Sequence, residues 1–212
     1  MPDLTSHAME LLERTGAVKS GHFLLSSGLH SAKYCQCAAL FEHPAVAAEL
    51  ADMLVRQLPA DLKVDVVMAP ALGGILWGYE LARALGAARG VQVRSFFAER
   101  PTGQGFELRR SFVLAAGDRV LLAEDVVTTG GSVSELVPLV EAAGARVVGF
   151  AAVADRSRGK FQPMDRAGAR VPFHSIVKLD FETYDQSVCP MCRAGSMAAK
   201  PGSRAVPVGA PG

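Results

Sequence analysis

Apolar positions along the chain follow two rhythms that alternate. Apolar runs at residues 64–68 and 120–123 and a longer one at 145–154 predict buried strands, and another strand is read over 91–97. A further strand is expected over 173–181. Between these runs the spacing becomes helical. Leu4, Ala8, Leu11 and Leu12 share one face of a helix over 4–15, with Gly16 as its stop. Val46, Leu50, Leu54 and Leu58 do the same over 43–58, where Pro44 suits the first turn and Pro59 ends the helix. A third helix follows Gly73-Gly74 and runs to about Leu85, and Val133, Leu136, Val137 and Val140 mark a fourth. Near the N-terminus, Gly28 after Ser26-Ser27 separates two extended pieces, a hairpin-like hood.

Strand, loop and helix therefore recur in order. That pattern predicts an α/β fold, a mostly parallel central sheet flanked by helices, with a small N-terminal hood. The expected division is 1–40 for the first helix and hood, 41–182 for the core with a mobile loop at 98–110, and 183–212 for a tail, flexible from Ala199 on. At 212 residues the chain is long enough for one good core. Its charge of +1 gives no sign of nucleic-acid binding. No apolar run approaches the roughly 20 residues of a membrane span, and the N-terminus lacks a basic-then-apolar leader, so a cytoplasmic protein is expected.

The chemistry concentrates in Arg119-Val-Leu-Leu-Ala-Glu-Asp-Val-Val-Thr-Thr-Gly-Gly-Ser132. An apolar strand leads to the carboxylates Glu124 and Asp125, then Val126 and Val127, and then a small-residue loop, Thr128, Thr129, Gly130, Gly131 and Ser132, before a helix start. Backbone N–H groups at such a start suit a phosphate. Paired carboxylates suit hydroxyls or a hydrated divalent cation. Together they describe a phosphorylated ribose. The bland alternative is an ordinary strand-to-helix loop with an acidic cap. A P-loop is excluded because the Gly-Lys-Ser/Thr ending is missing, and the dinucleotide fingerprint because the glycine spacing is wrong. Leu72, Gly73 and Gly74 form a second strand-to-helix loop, which on its own reads as a tight turn.

The 119–132 stretch closely resembles the phosphoribosyl-diphosphate-binding motif of type I phosphoribosyltransferases. Gly21-His-Phe-Leu-Leu-Ser-Ser-Gly-Leu-His-Ser31 is similar to the hood of the orotate phosphoribosyltransferases within that family, as is an arginine just after a strand-end aspartate, here Arg156. The resemblance spans roughly residues 15–185. It implies the type I phosphoribosyltransferase fold and transfer of phosphoribosyl from phosphoribosyl diphosphate to orotate. It further implies Mg2+ carried by the substrate, with Asp125 reaching it through water, and a homodimer whose loop 98–110 is shared across subunits. Glu124 and Asp125 would hold the ribose, 126–132 the 5′-phosphate, and Leu72, Gly73 and Gly74 the diphosphate. Arg100 and Arg109 would clamp the leaving group. Thr128, Arg156 and Ser26 would bind orotate, the planar guanidinium of Arg156 pairing with its carboxylate. Two departures stand out. Ser26 occupies a position where many members have lysine, and the loop 98–110 carries arginines where the family has lysines and a histidine.

Two other readings stay open. The base could be uracil or xanthine, or the chain could be a nucleotide-sensing regulator that has kept the fold. Cys189-Pro-Met-Cys192 is half of a zinc site or a redox pair. Cys35 and Cys37 could complete four ligands only if the fold brought them there, and a plain packing segment is the preferred reading.

Overall fold

The computed structural model describes residues 4–25, 27–101 and 105–201. Two compact units emerge, one of residues 1–17 with 36–180 and one of 18–35 with 181–212. This differs from the division expected from the sequence: the first helix goes with the core, and the tail goes with the hood.

The larger unit is built on a six-stranded sheet of order β5-β4-β3-β6-β7-β8. Its strands are β3 (Val66–Pro70), β4 (Arg94–Glu99), β5 (Glu107–Leu108), β6 (Arg119–Val127), β7 (Arg146–Asp155) and β8 (Phe173–Lys178). All pairings are parallel except the edge pair β4–β5. Parallel strands are covered on both faces, so they read as near-continuous apolar runs. Every residue of β3 is buried, as are the last seven of β7.

Alternate residues of each strand serve different layers. Val66 and Met68 of β3, Val120 and Leu122 of β6 and Phe150 and Ala152 of β7 share a core with Val133, Leu136, Val137 and Val140. On the other face, a Cβ on Gly74 or Gly78 of α3 (Gly73–Arg89) would come within 3.0–3.1 Å of Ala69 Cβ, so these two glycines let that helix lie close against β3. Trp77, Leu81 and Leu85 of α3 are fully or almost fully buried, as are Leu50 and Leu54 of α2 (Pro44–Gln57) and Leu11 and Leu12 of α1 (Leu4–Arg14). Trp77 is thus a core residue, while Tyr79 stays exposed.

The helix expected after Ser132 is broken into a single turn, α4 (Gly131–Ser134), and α5 (Val137–Ala142). Pro138 explains the break. It lacks an N–H for the preceding turn and is tolerated only at the start of a new helix. The loop 98–110 is less irregular than its composition suggests, since β5 folds back onto β4 with Ala98 opposite Leu108 and Glu99 opposite Glu107. Residues 102–104 lie outside the described residues.

The smaller unit pairs β1 (Val18–Leu24) with β2 (His30–Cys35), and β2 with β9 (Thr183–Tyr184). The hairpin expected around Gly28 is present, and Gly28 has φ +83°, a conformation open to glycine at little cost. Ser31 Oγ donates to the Glu182 carbonyl at 2.9 Å. Leu24 N–H donates to the Ala199 carbonyl and Ala199 N–H to the His22 carbonyl, both at 2.8 Å. Beyond β9 the chain closes through a 3-10 turn (Gln186–Val188) and α6 (Pro190–Arg193). The strand expected over 173–181 is shorter: β8 stops at Lys178, and residues from Phe181 on belong to the hairpin unit. Of the tail expected to be flexible, residues 202–212 lie outside the described residues.

Candidate active site

In a parallel sheet the carboxyl ends of neighbouring strands open onto the same edge, and ligands bind there. In the larger unit β3, β4, β6 and β7 deliver to that edge most of the residues singled out above. Parallel register places Glu124 beside Ala152 and Val127 beside Asp155. The loop 128–132 and Arg156 therefore leave adjacent strands side by side, and Arg156 N–H donates to the Val127 carbonyl at 2.7 Å. Glu124 and Asp125 lie inside β6, which runs on to Val127, so the sheet itself holds the pair; the sequence had suggested a strand ending before them.

The second loop meets the acidic pair directly. A Cβ on Gly73 would come within 3.1 Å of both Asp125 carboxylate oxygens, so the absence of a side chain at 73 is what lets the two approach. One of those oxygens accepts the Val126 N–H at 2.8 Å. The Ala71–Leu72 peptide is cis, and Ala71 N–H donates to the Ala98 carbonyl at 2.8 Å, tying this loop to the end of β4. Glu124 is half-buried, and its pKa is pushed up to about 8. Burial is the main cause, followed by the neighbouring Asp125 carboxylate. Near neutral pH Glu124 therefore carries a proton, which substrate hydroxyls or a cation would contest. Its hard oxygen donors fit Mg2+.

The loop itself is shaped for an anion. Gly130 has φ +75°, and a Cβ there would lie 2.0 Å from the Phe161 ring. Thr129 Oγ1 accepts the Gly131 N–H at 3.3 Å. Intrahelical bonding begins with Ser134 N–H to the Gly130 carbonyl at 3.0 Å, so N–H groups before it have no carbonyl in the preceding turn to reach.

The arginines divide. Arg156 follows buried Asp155, whose carboxylate accepts the Ser157 N–H at 2.8 Å. Arg100 at the end of β4 is bonded to Glu135 at 2.8 Å and lies over the Phe106 ring, 4.1 Å from its centroid. Arg110 forks onto Glu99 with two 3.0 Å bonds, and Arg109 is exposed. Ser26 lies outside the described residues. Sequence reasoning missed His22 and His30. In the structure these, and neither Cys35 nor Cys37, stand beside Cys189 and Cys192. Two histidines flanking the hairpin turn in a chain that also carries a Cys-x-x-Cys were the available signal.

The model of the phosphoribosyl transferase domain matches residues 36–176. The orotate phosphoribosyltransferase of Thermotoga maritima is 46% identical over 198 residues, covering 92% of this chain and 97% of that protein. That of Caldanaerobacter subterraneus subsp. tengcongensis is 44% identical over 199 residues, covering 92% and 96%. Among solved structures, the Mycobacterium tuberculosis orotate phosphoribosyltransferase in complex with inorganic phosphate is similar with a TM-score of 0.65 and 30% identity, over 84% of this chain and 97% of that one. Glycine loop, acidic pair and strand-end arginine thus occupy one sheet edge in a chain so closely matched along its length, and the chain belongs to the phosphoribosyltransferase family, among its orotate phosphoribosyltransferases.

Proposed function

We propose that the protein transfers the 5-phosphoribosyl group from phosphoribosyl diphosphate to orotate, yielding orotidine 5′-monophosphate and diphosphate. The observation that carries this reading is the contact between the Gly73 loop and the Asp125 carboxylate, with the 128–132 loop on the same strand and Arg156 on the next. Three parts of one phosphorylated sugar, its diphosphate, diol and 5′-phosphate, have complementary groups along one edge. A Mycobacterium tuberculosis orotate phosphoribosyltransferase has been solved with phosphoribosyl diphosphate, in keeping with that assignment.

Breaking the anomeric C–O bond leaves positive charge on the ribose and negative charge on diphosphate. Catalysis is then mainly electrostatic positioning. Glu124 and Asp125 orient the ribose hydroxyls, and once Glu124 has released its proton on substrate binding the pair's negative charge favours an oxocarbenium-like carbon. Residues 126–132 bind the distant 5′-phosphate and spend that binding on placing the reacting carbon. Leu72, Gly73 and Gly74 present backbone donors to the diphosphate. Arg100 and Arg109 assist its departure, Arg100 by exchanging Glu135 for phosphate oxygens. Thr128 and Arg156 hold orotate, and the need for a carboxylate partner at Arg156 disfavours uracil and xanthine. Mg2+, bound mainly by the substrate, neutralises charge on the leaving diphosphate.

The assembly belongs to the same reading. Leu72, Leu76 and Tyr79 expose apolar surface along the start of α3, at 84%, 56% and 65% of their maximum. Such a stripe fits a homodimer with the 98–110 loop reaching the neighbouring subunit's site. No helix among the described residues is long and apolar enough to cross a membrane, in keeping with a cytoplasmic enzyme.

The test is orotate consumption followed by ultraviolet absorbance with phosphoribosyl diphosphate and Mg2+, beside uracil and xanthine. Turnover with orotate alone is expected. Turnover of another base, or of none, overturns the assignment.

A further inference from the structure

A second constellation lies outside this site, wholly within the hairpin unit. His22 of β1, His30 of β2, Cys189 and Cys192 bring one nitrogen or sulfur each to a common point, all four within 4.8 Å of one another. Cys192 Sγ is 3.3 Å from His30 Nδ1 and 3.7 Å from His22 Nε2, and Cys189 Sγ is 3.6 Å from the same His22 nitrogen. The two nitrogens are 2.7 Å apart. His22, His30 and Cys189 are buried and Cys192 is partly so. We propose that His22 Nε2, His30 Nδ1, Cys189 Sγ and Cys192 Sγ form a structural zinc site that joins the N-terminal hairpin to the C-terminal segment.

Four considerations support the metal over a fortuitous cluster. First, the donor set is two imidazoles and two thiols with no oxygen ligand, which selects Zn2+ over Mg2+ or Ca2+. Second, zinc bonds of about 2.0–2.3 Å imply ligand atoms about 3.3–3.8 Å apart in a tetrahedron. Three sulfur–nitrogen distances of 3.3, 3.6 and 3.7 Å already match, while the two imidazole nitrogens, 2.7 Å apart, must part and the wider pairs, up to 4.8 Å, must draw in. Third, the outer shell is in place. His22 Nδ1 lies 3.0 Å from the Ser196 carbonyl, an acceptor that keeps the proton on Nδ1 and leaves the Nε2 lone pair facing the cluster. The Cys189–Cys192 turn is held by Arg193 N–H to the Cys189 carbonyl at 3.1 Å and Gly195 N–H to the Cys192 carbonyl at 2.9 Å, with Gly195 at φ +78°. Fourth, the charges balance, because Zn2+ with two thiolates and two neutral imidazoles is neutral and burying it leaves no net charge uncompensated.

The unit also has reason to need a crosslink. It has about 40 described residues in three short strands, and domains of that size usually rely on a metal or disulfides. Its ligands come from both ends of the chain, so one ion would fasten what the strand pairing holds only by β9 and the Ala199 bridge. The rival is a simple hydrogen bond, His30 Nδ1–H donating to His22 Nε2. It leaves the convergence of two thiols on the same nitrogens without a purpose.

Metal analysis of the full-length protein grown with zinc in the medium decides the question. The expected result is one zinc ion per chain that survives dialysis against EDTA and is released when a mercurial titrates the thiols. Metal-free protein given Co2+ should develop the visible bands of a tetrahedral ion and a near-ultraviolet thiolate charge-transfer band. Both signals should vanish in His22→Ala and in Cys189→Ser/Cys192→Ser. Should these variants fail to fold, the cobalt spectrum of the unmutated protein still carries the test. Protein that is metal-free as purified and gives no cobalt bands overturns the proposal. So does metal retained by both variants, or a Cys189–Cys192 disulfide found after alkylation of fresh protein.

Discussion

Glu124 carries the clearest pH signature of any single residue. Its pKa rises from an unfolded value of 4.5 to about 8, so the folded protein holds a proton that the unfolded chain releases. Stability from this group is complete below pH 4.5 and declines as pH climbs towards about 8. Ligand-free Glu124→Gln should therefore lack this decline and lose less Tm than the parent as pH rises across that window, while losing turnover. Ribose hydroxyls favour the charged carboxylate, so phosphoribosyl diphosphate should bind more tightly as pH increases to about 8, with release of a proton measurable by calorimetry in buffers of different ionisation heat. Asp125→Asn should lower kcat by roughly 10²–10³, the scale of a lost preorganised electrostatic group, with circular dichroism unchanged. Arg156→Ala should weaken kcat/KM for orotate by about 1.5–3 kcal/mol, and Arg156→Lys should recover little because an ammonium lacks the planar fork.

Among the elements, β6 is anchored at its start as firmly as it is equipped at its end. The Arg119 side chain forks onto Asp65 at 2.6 and 2.7 Å and its backbone N–H adds a third bond at 2.8 Å. The Arg119 bonds hold the Asp65 carboxyl down at about 2 against an ordinary 3.8. Here the folded value is depressed, so the stabilisation is present above pH 3.8 and is lost as pH falls to about 2. Asp65→Asn should melt below the parent at pH 7, with the difference closing as the pH is taken from 4 to 2. The strands were legible in the sequence because full burial writes an unbroken apolar run, which also located the acidic pair within a residue or two. The boundaries were not, since the ladder from Glu124 to Val127 depends on β7 lying alongside and nothing local announces it. The break before α5 had its signal in Pro138, but the apolar spacing of 133–140 crosses it smoothly. The arginines of 98–110 were visible as charges, whereas the carboxylates engaging Arg100 and Arg110 come from distant or folded-back positions that spacing does not reveal.

For the whole molecule, the exposed apolar start of α3 leads to an association experiment. Sedimentation should give twice the 22.3 kDa of one chain, and Tyr79→Arg should shift the protein towards monomer while turnover falls, since each site would lose its neighbour's loop. The hairpin unit was the least legible part. The turn at Gly28 predicted β1 and β2, yet the third strand and the segment at Ala199 lie beyond Asp180, a separation no periodicity records. That separation also bears on how the protein is made. The hairpin leaves the ribosome early, and its remaining pieces follow only after the whole sheet unit has been synthesised. At roughly 5–20 residues per second, the nascent hairpin waits on the order of ten seconds for the strand that covers β2. Throughout that interval the free edge of β2 is open to any other extended chain nearby, so this protein should lean on ribosome-associated chaperones more than one whose N-terminal strands pair among themselves.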